Sequence, residues 1–262
     1  MKKLFLVLAA TFICGACLFT SCKKDNDLKL EEKIIGKWIY ADIDGQSAPT
    51  DEKFVYTFVS PTKGYLSASI NKGIGPWNAM TEMDVAISGN KITLNHTDGH
   101  LDAVEEYTVT AISGSEFTAN QKITLMVDGN EVLSREQIVR FVKLSVDYAE
   151  PILGLWECQE LTGIETYNDA NARLEFFADG TYNYWRMNDN NEWDAVTNRE
   201  FQNYFVDGTL LATRWKNIGE DELREWWEIA SLANGEMQWT ALRQNADGTT
   251  AQQGMRWVKV SQ

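Results

Sequence analysis

The chain has 262 residues, with 38 Asp and Glu against 24 Lys and Arg, a formal charge of −14 at neutral pH. So acidic a surface repels phosphate backbones, which argues against nucleic acid as a partner, and solubility alone accounts for the acidity. Hydrophobic residues at 44% and aromatic residues at 11% exclude a disordered chain and suffice for ordinary cores.

Met1-Lys2-Lys3 is a basic head followed by an apolar run from Leu4 to Phe19, then Thr20-Ser21-Cys22 and the polar stretch Lys23-Lys24-Asp25-Asn26-Asp27. The run is short for a membrane span and is placed like a secretory signal, which residues 1–21 would form. A cysteine at this junction resembles a bacterial lipoprotein signal. Leu18 lies one position further back than usual, as in the relaxed lipoboxes of Bacteroidota, and Cys17 is the alternative acceptor. The resemblance implies lipid attachment at Cys22 through palmitate-type acyl chains, with residues 22–32 as a lipidated tether. Several such chains, each methylene contributing roughly 0.8 kcal/mol, hold a soluble body on a membrane. It implies the outer membrane, since Lys23 does not resemble an inner-membrane retention signal, and it leaves the leaflet open. A cleaved, soluble secreted protein is the alternative.

Cys14 and Cys17 depart with such a leader, so Cys158 stands alone in the body and no disulfide framework is expected. At strand parity with Trp156, it reads as a small buried hydrophobe.

From residue 33 onward, turn signals recur every eight to fourteen residues. Expected strands are Lys37–Ile43, Phe54–Val59, Gly64–Ile70, Met83–Ile87, Lys91–Asn95, Glu105–Ile112, Phe117–Val127 and Gln137–Leu144, separated by turns such as Asp44-Gly45 and Asp128-Gly129-Asn130. A short linker, Val146–Pro151, leads to eight more: Trp156–Leu161, Arg173–Phe177, Thr181–Met187, Phe201–Val206, Thr209–Lys216, Arg224–Leu232, Met237–Gln244 and Gly254–Val260. The two halves share their ends. Ile34-Ile35-Gly36-Lys37-Trp38 returns 118 residues later as Ile152-Leu153-Gly154-Leu155-Trp156, and Arg140-Phe141-Val142-Lys143 returns as Arg256-Trp257-Val258-Lys259. This is a tandem duplication with units at 33–146 and 147–262. Each is read as an eight-stranded antiparallel up-and-down barrel, all-β, with a two-sheet sandwich as the alternative.

A Gly-x-Trp opening the first strand, an eight-strand meander and an Arg near the end of the last strand resemble the lipocalin or wider calycin pattern. The likeness is greatest to the compact lipocalin-like domains on Bacteroidota lipoproteins. Gly36, Trp38 and Arg140 match in the first unit; Gly154, Trp156 and Arg256 match in the second. The resemblance implies that each Trp plugs the closed end of a barrel with the Arg laid across its ring. Each unit is shorter than a typical lipocalin and lacks the helix that follows the last strand there.

Eight of the ten tryptophans fall in the second unit. Alternation places Leu174, Phe176, Tyr182, Tyr184, Trp227, Ile229 and Trp239 on its inner face. Tyr182, Tyr184, Trp227 and Trp239 are therefore candidate ligand-binding residues, in an interior just large enough for one small ligand or for its own side chains. Trp185 and Trp226 have the opposite parity and face outward, toward the other unit, a sugar or partner, or solvent. His96 and His100, with Asp98 or Asp102, could ligate a metal, but a hairpin loop aligns them poorly. Asn188-Asp189-Asn190-Asn191-Glu192 offers oxygens without calcium-loop spacing. No nucleophile elbow, phosphate loop or His-Glu metal helix is present, so neither catalysis, a cofactor nor a resident metal is expected. Two readings of function stay open. One is a membrane-anchored binding module for a small apolar or amphipathic ligand; the other is a filled barrel pair serving as an accessory subunit of an outer-membrane complex.

Overall fold

A computed structural model describes residues 28–47, 51–71, 75–98, 101–164, 172–245 and 247–260. The expected leader, Cys22 and the tether as far as residue 27 lie outside them. No helix among the described residues is long and apolar enough to cross a membrane.

After a single helical turn, α1 (Leu30–Lys33), the first sheet consists of β1 (Gly36–Ile43), β2 (Gln46–Ser47), β3 (Glu52–Ser60), β4 (Lys63–Ile70), β5 (Trp77–Ser88), β6 (Lys91–Asp98), β7 (Leu101–Ile112), β8 (Glu116–Val127) and β9 (Asn130–Leu144). Each long strand pairs antiparallel with the next, and β1 pairs with both β3 and β9. The result is a closed eight-stranded barrel, with β2 hung on the edge of β1. The period-2 pattern dictates which side faces in: Ile92 and Leu94, Tyr107 and Val109, Phe117 and Ala119, Val139 and Phe141 are all buried. Turns at Asp44-Gly45 and Asp128-Gly129 hold both residues at positive φ, the geometry that joins twisted strands without splaying them.

The second sheet consists of β10 (Gly154–Thr162), β11 (Ala172–Phe176), β12 (Tyr182–Met187), β13 (Trp193–Ala195), β14 (Arg199–Asp207), β15 (Leu210–Asn217), β16 (Glu222–Ala233), β17 (Glu236–Gln244) and β18 (Thr250–Lys259). Its order is β13-β12-β11-β10-β18-β17-β16-β15-β14. Here β10 takes the place of β1, pairing with both β11 and β18. Setting the short β2 and β13 aside, each sheet has eight strands in meander order, as expected.

The two differ at one joint. β4 and β5 run a full ladder in the first barrel, whereas the corresponding β12 and β14 share one bridge, Thr181 to Asn203. The Tyr204 amide adds a hydrogen bond to the Gly180 carbonyl at 2.8 Å. The cause is β13, which folds back and pairs with Trp185, Arg186 and Met187 along the edge β14 would need. One edge cannot serve two strands, so the second sheet curls without zipping shut.

The sheets pack through their outer faces. Ile39 and Val55, on strands of the first barrel, are buried in the core cluster of the second. Asp207, 3% exposed, accepts Ser67 Oγ at 2.6 Å and pairs with Lys37 Nζ at 2.5 Å. Arg224 donates to the Gly75 carbonyl at 2.6 Å, and Lys53 pairs with Glu228 at 3.1 Å. Trp77 meets Phe205 edge-on at 4.9 Å. Gly208, at φ +63, is pressed so closely on Leu144 that a Cβ would sit 2.4 Å from its Cδ1.

Candidate functional site

In each sheet the two repeated stretches pair with one another. Trp38 and Trp156 are fully buried, and each indole donates to the backbone carbonyl four residues earlier, Ile34 at 2.5 Å and Ile152 at 2.6 Å. The cation over each ring is not the expected arginine. Lys143 Nζ lies 5.0 Å from the Trp38 ring centre, and Lys259 Nζ lies 5.2 Å from that of Trp156. Arg140 instead pairs with Asp42 at 2.5 Å and with Glu116, and Arg256 pairs with Glu160 at 3.3 Å. Parity is the reason. Phe141 and Trp257 occupy inward positions, so the arginine before each points out, and the lysine two residues after each points in. Register agrees: Trp38 is opposite Lys143 and Trp156 opposite Lys259. Gly36 and Gly154, at φ +129 and +110, leave room for the lysine stems; a Cβ on Gly36 would lie 2.7 Å from Lys143 Cε.

The first barrel holds a buried polar network that the sequence analysis missed. Glu105, 5% exposed, accepts from Tyr56, Tyr107 and Gln121 and faces His96 Nε2 at 3.3 Å. Gln137 and Tyr40 extend the network. Burial pushes the Glu105 carboxyl up, but His96 and the two tyrosine hydroxyls outweigh it and hold it below its ordinary value. Alternation alone could have flagged it, since Glu105 shares the parity of Tyr107 and Val109.

His96 is thus turned to Glu105, Asp102 accepts from Thr97 Oγ1 at 2.7 Å, and His100 lies outside the described residues. Asn188 folds its loop on itself, accepting the amides of Asn190 and Glu192.

The second sheet lines a cavity of about 190 Å³ that is partly open to solvent. All four candidate aromatics, Tyr182, Tyr184, Trp227 and Trp239, line it, together with Trp215, Trp257 and Cys158. Three of the rings form a continuous wall: Trp227 to Trp239 at 5.8 Å and Trp239 to Trp257 at 4.8 Å. β12 supplies the two tyrosines and β14 supplies Arg199, so the incomplete joint between those strands borders the cavity. Arg186 and Glu225 are the other charged residues on its wall. Burial pushes the Cys158 thiol up to about 11, despite the nearby Arg256 charge, and Cys158 donates to the Glu160 carbonyl. Of the outward tryptophans, Trp226 is buried between the units under Lys53 at 5.4 Å and Arg243 at 4.9 Å; Trp185 is half-buried on β12.

No protein-family model and no curated protein matches this sequence. Among solved structures it overlaps a double mutant of transferrin binding protein B from Haemophilus parasuis Hp5 at 9% identity and a TM-score of 0.24, over 83% of this chain and 54% of that one. A single mutant of the same protein gives 9% identity and 0.23, over 82% and 62%. A putative thioesterase II from Thermobifida fusca YX gives 11% identity and 0.18, over 70% and 96%. The chain spans little more than half the length of the two transferrin-binding structures, and overlaps at these TM-scores establish neither family nor function.

Proposed function

We propose that this protein is a membrane-anchored, non-catalytic binding module, held on the outer membrane through Cys22, whose second unit takes a small apolar or amphipathic ligand. The observation that carries the reading is the contrast between two copies of one fold. The first interior is occupied by its own tyrosines and glutamines around Glu105, whereas the second keeps an aromatic-walled space beside an unzipped joint. Small-molecule sites are concave and largely apolar, with a few placed polar groups, and this cavity has that composition. Cys158 on its wall, held protonated by burial, is a poor nucleophile, in keeping with binding and not chemistry.

The test is titration of the full chain, in a long-chain detergent, with neutral single-ring compounds such as phenol and indole, followed by tryptophan fluorescence. Several tryptophans line the cavity, so an occupant changes their emission. A saturable change is expected in the native chain and its loss in Ala172→Phe, which fills the cavity from β11. Titrations that stay flat in the native chain would remove this reading.

A further inference from the structure

The size, wall and charge of the cavity narrow the ligand further. At about 190 Å³ it slightly exceeds the roughly 150 Å³ engineered cavity that accepts benzene and falls short of the roughly 300 Å³ where drug-sized sites begin. Its inner space matches one ring with a few substituent atoms, and a long acyl chain would not fit wholly inside it. The tryptophan and tyrosine faces favour a flat, apolar body.

The charges select its polar end. Four arginines pair with carboxylates, Arg140 with Asp42, Arg173 with Glu157, Arg224 with Glu222 and Arg256 with Glu160, whereas Arg199, like Arg214 and Arg243, does not. Of those three, Arg199 alone lines the cavity. Its Nη1 donates to Gln202 Oε1 at 2.7 Å, and its guanidinium lies 5.2 Å from the Tyr184 ring and 5.3 Å from that of Trp215. Among the described residues no carboxylate pairs with it, and its Nε is buried without a hydrogen-bond partner. Glu225, the one carboxylate on the wall, accepts from Trp227 Nε1 at 3.2 Å. A partly buried guanidinium beside two rings, in no ion pair among the described residues, is a seat for a planar carboxylate, which a guanidinium can grip through two parallel N–H donors.

We infer that the cavity takes a small carboxylate carried on a single apolar ring, its ring against Trp227 and Trp239 and its carboxylate on Arg199. This rests on the cavity reading above and adds the ligand's charge and size. The probes are benzoate, its neutral isostere benzamide, and palmitate, each titrated against the full chain by tryptophan fluorescence. A charge-assisted hydrogen-bonded pair predicts benzoate binding about ten- to a hundredfold tighter than benzamide. Arg199→Gln is expected to erase that preference and Arg199→Lys to retain part of it. Added salt is expected to weaken benzoate and spare benzamide, a check on the native chain that stands even if a variant fails to fold. Equal binding of benzoate and benzamide by the native chain would overturn the carboxylate assignment and leave the cavity reading intact. Palmitate displacing benzoate with equal or greater affinity would overturn the size assignment. Binding of neither ring compound would overturn both the inference and the reading beneath it.

Discussion

Lys143 and Lys259 each lay a charged amine over a buried indole, and the arginines three residues earlier in each copy make exposed ion pairs instead. The energetics of the two arrangements differ. A cation over a tryptophan face in a partly dry site contributes about 0.5–2 kcal/mol, whereas surface pairs contribute about 0–1 kcal/mol. Lys143→Met, which keeps the stem and removes the charge, should therefore lower the urea midpoint more than Arg140→Met does. Equal effects, or the reverse order, would show that the lysine acts through packing alone. The alternation that reveals this was readable in Arg140-Phe141-Val142-Lys143: once the aromatic is placed inside, the lysine follows it in and the arginine cannot. Arg199 was not readable in this way. An arginine next to Glu200 on an edge strand looks like any solvated surface residue until β12 is brought beside it.

At the scale of strands, the informative element is the shortest. β13 has three residues, yet by pairing with β12 it denies β14 an edge and leaves the second sheet joined there by one bridge. Backbone groups along that joint lack the ladder that protects the rest. Amides of β14 that face the joint, Gln202 among them, should exchange with deuterium orders of magnitude faster than those of β8, which is paired on both sides. Equal protection of β14 and β8 by hydrogen-exchange mass spectrometry would mean that the joint is closed in solution, and the route into the cavity would be lost. The sixteen long strands were legible because alternation and Asp-Gly turns are local signals. Neither β2 nor β13 was, because strands of two and three residues carry no periodicity and exist only through the edge they meet.

Across the whole molecule, polar and apolar contacts interleave on the facing surfaces of the two sheets. Asp207 is the centre of that contact, taking a hydrogen bond from Ser67 and a charge from Lys37. Removing one partner from a buried ionic contact costs about 3–5 kcal/mol, the upper limit here because Lys37 is partly exposed and also pairs with Asp147. Calorimetry of the native chain should show one unfolding transition, and Asp207→Ala should lower it and split it into two. A single unshifted transition in the variant would mean that the apolar contacts through Ile39, Val55 and Trp77 suffice alone. Trp226 illustrates the limit of sequence reading at this scale. Its outward parity was evident, but not what it faced, because a surface tryptophan and an interface tryptophan share the same local pattern.

What these residues determined by themselves is what short-range chemistry can determine: an all-β chain, duplicated, with eight meandering strands per copy and an aromatic inner wall in the second. Alternation and turn geometry are properties of a few consecutive residues, so they survive without a partner. The tertiary structure alone decided which copy closes, which cation covers each indole, and that Arg199 lines a cavity without an ion-pair partner among the described residues. Those outcomes depend on pairs of residues as much as a hundred or more positions apart, and only the folded chain brings such pairs into contact.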